Sequence, residues 1–311
     1  MNNTMTSGRS NQEWSQEIWD RINQAIHDET KRAKVAARFL PLYMSMPHAF
    51  IVPADVTNTN QQPLTVDETK TTEIVEILVE IALTPQQYQR EPDLMTAVTL
   101  ATRAANLLSQ GEDLLINQGE QGLQNDLFRN NKVSKQSGNP GSGLVGSLAP
   151  EQIVPVRPTA IVEGKPKWGE NTLAAVAEGY SRLQNEGHYG PYALMLHTDP
   201  YADTYAPLPT TLITPAEPIK ALVTAGFYGT GTLPPNTGIL VSLGGDTMDL
   251  VMAVDTKIEF DQNDNRGRYL FRVYERFAFR LKVSNAVIKL DFQTTLSTTT
   301  VASEKSGTTK K

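Results

Sequence analysis

Between Tyr269 and Val283 the large apolar residues keep to odd positions: Tyr269, Phe271, Val273, Phe277, Phe279, Leu281 and Val283. Arg and Lys take many of the even ones, with Leu270, Tyr274 and Ala278 as exceptions. A period of two over that length predicts a strand with one buried face, and such a strand belongs in an antiparallel sheet. The alternation extends over 268–290, and residues 251–260 repeat it. Asp264-Asn265-Arg266-Gly267 lies between the two runs and marks a hairpin turn.

Upstream, the period changes to that of helices. Ile18, Ile22, Ala25 and Ile26 recur at spacings of three and four, with Trp19 beside them, and predict a helix over 13–38. Pro41 and Pro47 prevent its continuation. Leu94, Ala97, Val98, Ala101, Ala105 and Leu108 predict a second helix over 93–118, with Pro92 just ahead of it. Its alanines imply close packing against another element. A third helix is expected over 172–184, with Leu173, Val176, Tyr180 and Leu183 on one face, and a short one over 216–225.

Residues 73–81 read as a strand exposed on one side, and 48–56 with 71–83 as the two arms of a long hairpin. Residues 119–146, rich in Gly, Asn, Gln, Ser and Lys, read as a long loop with little core of its own. In 187–201 a Gly-Pro turn feeds the apolar strand Tyr192 to Leu196, which Thr198-Asp199-Pro200 ends. Residues 294–311 are Ser/Thr/Lys-rich and expected to be disordered. The class is therefore α+β.

Composition excludes several chemistries. The chain has no cysteine, hence no disulfide, thiolate metal site or cysteine nucleophile. No segment approaches the roughly 18 continuous apolar residues of a membrane span, and residues 1–12 contain no apolar stretch of a secretory signal. A net charge of −6 argues against coating nucleic acid. The four histidines form no HxxxH or HExxH pair, and His197 with Asp199 reads as a polar strand end. Gly229-Thr230-Gly231 lacks the Gly-Lys-Ser/Thr ending of a phosphate loop. Glu112 and Asp113 are helix neighbours that diverge by about 100° and do not converge on a substrate. Lys31, Arg32, Lys34 and Arg38 cluster late in the first helix, where the macrodipole favours cations. Contact with an acidic partner is the alternative reading of that cluster. No catalytic or metal-binding constellation emerges, so the expectation is a chain that is not an enzyme and carries no cofactor.

Three groups of residues carry a resemblance. Trp19 and Ile22 stand in a W-x-x-I pattern on a segment ending in Arg38-Phe39. Gly111-Glu112-Asp113-Leu114-Leu115-Ile116 forms an acidic-then-apolar helix end. Gly190-Pro191-Tyr192-Ala193-Leu194, Gly244-Gly245-Asp246 and Glu275-Arg276-Phe277-Ala278-Phe279 follow in order. In this order they resemble the encapsulin shell proteins (family 1, linocin-like), which share the HK97-like capsid fold with tailed phages.

The resemblance implies a peripheral domain of 1–47, 84–159 and 246–292, an extended loop of 48–83, an axial domain of 160–245 and a tail of 293–311. It implies self-assembly of about 60 copies, or a multiple, into a closed cytoplasmic nanocompartment. Such shells enclose cargo such as a peroxidase or a ferritin-like protein, bound through a short targeting peptide. By resemblance, Ile22, Ile26, Arg38, Phe39, Asp255, Ile258 and Phe260 would dock that peptide, and Thr210 and Thr211 would sit in a pore loop. A tryptophan that some members use near the end of the arm to stack flavin has no counterpart in Thr84 to Tyr88, so no flavin is expected. The alternatives are a DNA-packaging phage or prophage capsid protein of the same fold and, more remotely, a secreted antibacterial or proteolytic factor.

Overall fold

The computed structural model describes residues 14–43, 46–58, 63–146, 148–208 and 213–295. The predicted hairpin is its longest feature. Met248–Asn263 pairs antiparallel with Tyr269–Leu281, from Met248 opposite Leu281 to Asn263 opposite Tyr269, with three register shifts. Asp264 builds the turn: its Oδ1 accepts from the backbone N–H groups of Arg266 at 2.9 Å and Arg268 at 2.8 Å. Gly267, at φ 73°, supplies the left-handed residue the turn needs.

This hairpin is the middle of a five-stranded sheet ordered Leu42–Tyr43, Met248–Asn263, Tyr269–Leu281, Val75–Leu83, Ser134–Ser137. Helices Gln16–Ala33 and Thr96–Gln118 cover one face. Ala97, Ala101, Ala104 and Ala105 are all buried along the second helix and let its partner approach closely. Trp14 closes one end of this core, stacked on Tyr88 at 4.5 Å and Phe271 at 5.2 Å, with its Nε1 donating to the Tyr88 carbonyl.

The helix boundaries have local causes. The first helix stops at Ala33, and a 3-10 turn follows over Ala36–Arg38. The central helix starts at Thr96 rather than 93, because Pro92 and Asp93 belong to a separate turn, Glu91–Leu94, and Met95 is left-handed at φ 50°. The buried Glu91 carboxylate accepts from the N–H groups of Ala97 at 2.7 Å and Val98 at 3.2 Å, capping the long helix from outside. Leu94 is consequently exposed and is not part of the core stripe.

A second five-stranded sheet is ordered Gly226–Thr230, Tyr192–His197, Thr237–Ser242, Val287–Phe292, Ile153–Val156. Helix Glu170–Asn185 packs its Val176 and Leu183 against Leu194, Leu240, Ile288 and Leu290 of this sheet. The short helix expected over 216–225 is present as Ala216–Leu222.

Three expectations are corrected. The alternation over 268–290 is two strands, not one: the first ends at Leu281, a turn at Ser284–Ala286 redirects the chain, and Val287–Phe292 enters the second sheet. Segments 153–156 and 287–292 are thus neighbours in the second sheet, beside Thr237–Ser242. Val75–Leu83 is not exposed along one side, since six of its nine residues are buried and only Glu80 is exposed, and it pairs with Tyr269–Leu281 instead of extending the arm. The arm consists of Ile51–Pro53 with Thr71–Glu73 and Val56–Asn58 with Thr65–Asp67. Finally, 119–146 is not coreless. Leu127, Phe128, Val133 and Leu144 are buried in the main core, and Ser134–Ser137 pairs with Val75–Leu83.

Candidate functional site

A groove of about 670 Å³ opens between the end of the first helix and the Met248–Asn263 strand. Ala37, Leu42, Leu250 and Met252 give it an apolar floor, and His27, Lys31, Arg38 and Asp255 ring it with polar groups. An apolar surface rimmed by a few charges suits a short peptide, which buries side chains and orients its polar ends.

Of the residues assigned to docking by resemblance, Arg38 and Asp255 line this groove. Ile22 and Ile26 do not: both are buried in the chain's own core, where the helix stripe packs on its own subunit. Ile258 is buried in the same core, Phe39 is buried and stacks on Tyr228 at 5.8 Å, and Phe260 meets Phe271 edge-on at 5.6 Å. Their apolar pattern marks packing and is the same pattern an apolar pocket would show. Thr210 and Thr211 lie outside the described residues, as does the tail from 296.

The basic cluster at the helix end divides into separate roles. Arg32 pairs with the buried Glu29. Lys34 turns inward, to Glu275 Oε2 at 2.8 Å and to Glu112 Oε2. Thr256 Oγ1 donates to the same Glu275 oxygen at 2.6 Å. Glu112 and Asp113 diverge as expected, yet both serve one junction. While Glu112 faces Lys34, Asp113 accepts the backbone N–H groups of Val35 at 2.9 Å and Ala36 at 2.9 Å, where the chain leaves the helix.

Burial acts against the Lys34 charge, but Glu112 and Glu275 outweigh it and hold the ammonium protonated beyond the usual lysine range. Burial raises Glu112 well above the carboxylate range against the opposing pull of Lys34, and raises Asp113 to about 6 against its backbone donors. The sequence signal for this cluster was a charged residue inside an apolar run, at Glu112 and again at Glu275.

The two glycine motifs meet in space. The Leu243 N–H donates to the Pro191 carbonyl at 2.9 Å, and the Gly190 N–H to Ser242 Oγ at 3.2 Å. A Cβ on Gly244 would lie 2.0 Å from the Gly190 carbonyl oxygen, so only glycine fits this crossing. Among the described residues, no group of three His, Asp or Glu side chains is placed to hold a metal ion, and no helix is long and apolar enough to cross a membrane.

Residues 147–278 match a family model described as encapsulating protein for peroxidase. Over 296 residues the chain is 24% identical to the type 1 encapsulin shell protein EncA of Myxococcus xanthus, across 89% of this chain and 93% of that protein. In fold it is similar to the virus-like particle from Pyrococcus furiosus, with a TM-score of 0.64 and 16% identity over 88% of this chain and 100% of the other. The capsid of Myoviridae phage XM1 gives a TM-score of 0.54 and 10% identity over 84% of this chain and 92% of that one. The fold is the HK97-like capsid fold.

Proposed function

We propose that this chain, an encapsulin-like protein in family match, sequence and fold, is the repeating subunit of a closed shell that encloses cargo. The observation that carries this reading beyond the fold is the arm of residues 50–73. Its outer piece, Val56–Asn58 with Thr65–Asp67, is two-stranded and marginal in water without a supporting surface. The arm also exposes Phe50, Ile51, Leu64 and Val66. A second copy of the chain supplies the surface these residues lack.

The groove beside Arg38 and Asp255 receives the targeting peptide of the cargo protein. The shell is cytoplasmic, works as a container rather than an enzyme, and is divided into peripheral, arm and axial parts. In this division residues 75–83 go with the peripheral part, and residues 153–156 and 287–292 with the axial part.

Light scattering and negative-stain microscopy of the purified chain test the shell: a closed particle in the megadalton range is expected, and a monomer or dimer refutes it. Mass spectrometry of the contents tests the cargo. A DNA-packaging capsid is the second reading, favoured by the likeness to the phage XM1 capsid. The net charge of −6 weighs against it, and nuclease-protected DNA inside the particle would establish it.

A further inference from the structure

The first sheet has a second face, turned away from the two helices. On the hairpin it presents Val251, Ala253 and Ala278, and residues 46–55 at the base of the arm lie across it. Val52 and Ile74, both buried, pack on those three residues in a small apolar cluster separate from the main core. Ala253 and Ala278 are small enough to let the backbone of the arm come close.

Two arginines flank this contact. Arg276 donates to the carbonyls of Ala49 at 2.8 Å and Pro47 at 3.2 Å. Its guanidinium also lies 5.0 Å from the Phe50 ring centroid, and its Nε lies 3.6 Å from Glu76. Arg280 is almost wholly buried. It holds both oxygens of Asp249, at 2.7 and 2.6 Å, and donates from Nη1 to the Pro53 carbonyl at 2.9 Å and to Asp55. Tyr43 covers it at 4.2 Å. Asp55 itself is left-handed at φ 50°, where the chain turns into the outer part of the arm.

We infer that Arg276 and Arg280 form a two-point clamp that fixes the direction in which the arm leaves the subunit, and through that direction the curvature of the shell. The inference rests on the shell reading above. One point of attachment would leave a pivot. Two points, four residues apart on the strand and therefore about 13 Å apart, do not. Arginine suits the task because its planar fork has fixed donor directions, and Arg280 has Nε, Nη1 and Nη2 all engaged. Swinging the arm would strip partners from a buried guanidinium, which is strongly disfavoured.

The lever is short but sufficient. Asn58 lies five residues beyond Pro53, at most about 17 Å, so an error of about 15° moves it by up to roughly one strand spacing. A shift of that size presents the wrong backbone groups to the neighbouring subunit.

The test compares particle diameters by cryo-electron microscopy for the wild type, Asp55→Asn, Arg276→Gln/Arg280→Gln and Arg276→Lys/Arg280→Lys, with circular dichroism of each. Lys282, 2.8 Å from Asp249, keeps that carboxylate paired in the double variants. Asp55→Asn alters only the arm side of the clamp. The expected result is native secondary structure with a spread of diameters or open sheets in both double variants. The share of particles at the wild-type diameter should fall by about half or more, with Asp55→Asn intermediate, because lysine keeps the charge but not the fork. A uniform wild-type diameter for the Gln variant overturns the clamp, as does full rescue by Lys. If the double variants unfold, Asp55→Asn decides: mixed diameters support the clamp and a wild-type diameter refutes it. Absence of particles from the wild type is the separate failure of the shell reading.

Discussion

Lys34 and Glu275 stand 241 residues apart in the chain and 2.8 Å apart in space. Glu112 joins them from the central helix, so three distant segments share one buried ammonium. Replacing it by Lys34→Met leaves two buried carboxylates with no cation and is expected to destabilise the subunit by about 3–5 kcal/mol. Lys34→Met/Glu112→Gln should lose less, because one of the orphaned charges goes with it. Thermal midpoints and soluble yields of the two variants check the order. The raised pKa of Lys34 also gives a sign: its contribution is complete below the ordinary lysine range and is lost as pH rises beyond it.

Asp113 gives the same sign in a lower pH window. Its folded pKa of about 6 lies above its ordinary value of 3.8. Between those values the unfolded chain releases a proton that the folded chain keeps, so stability falls as pH rises from about 4 to about 6 and then levels. The effect is on the order of 3 kcal/mol, at about 1.4 kcal/mol per unit. Asp113→Asn should remove that part of the slope. Thermal midpoints across pH 4–8, taken as the difference between variant and wild type, are the measurement; parallel profiles would show that Asp113 does not titrate in this window.

The groove prediction concerns loading, with folding left intact. Ile258 is part of the core, so substitution there tests stability instead. Arg38→Ala, Asp255→Ala and Met252→Asp change the groove itself. Shells should assemble normally while cargo occupancy drops about tenfold, which corresponds to about 1.4 kcal/mol. Co-expression with the native cargo and quantitative mass spectrometry would measure it; unchanged occupancy in all three variants moves the docking site elsewhere.

Gly244→Ala should be costly although it adds one methyl group. The new Cβ cannot share space with the Gly190 carbonyl, and the crossing of the two glycine segments must open. A loss of about 2 kcal/mol or more is expected, visible as a lowered thermal midpoint. Gly245→Ala is the useful contrast. Gly245 has open space around its Cβ position but φ 78°, so its penalty is that of backbone strain alone, about 1 kcal/mol.

What the sequence revealed, and what it hid, follows from the range of the interactions. The hairpin 248–281 and the helix faces around Ile22, Ile26 and Ala101 were legible because their period is a local property. Sheet membership was not. Val287–Phe292 alternates just as Tyr269–Leu281 does, yet its partner is Thr237–Ser242. That choice is made by a turn and by residues some fifty positions away. The buried part of 119–146 was hidden because Leu127, Phe128, Val133 and Leu144 follow no period. At the site, Arg38 and Asp255 were reachable only through the resemblance. Ile22 and Ile26 pack in the chain's own core, and a core stripe and a docking stripe look alike until something is seen packed against them.

Strand Val287–Phe292 sits between Thr237–Ser242 and Ile153–Val156, and among the described residues it is the sole strand neighbour of the latter. A ribosome making this chain therefore completes Ile153–Val156 more than a hundred residues before its partner exists. The hairpin that centres the other sheet also waits for residue 281. Native pairing that depends on such distant segments is slow and arrives late. The completed second sheet cannot exist on a half-made chain. A truncated product therefore lacks the strand that joins Ile153–Val156 to its second sheet.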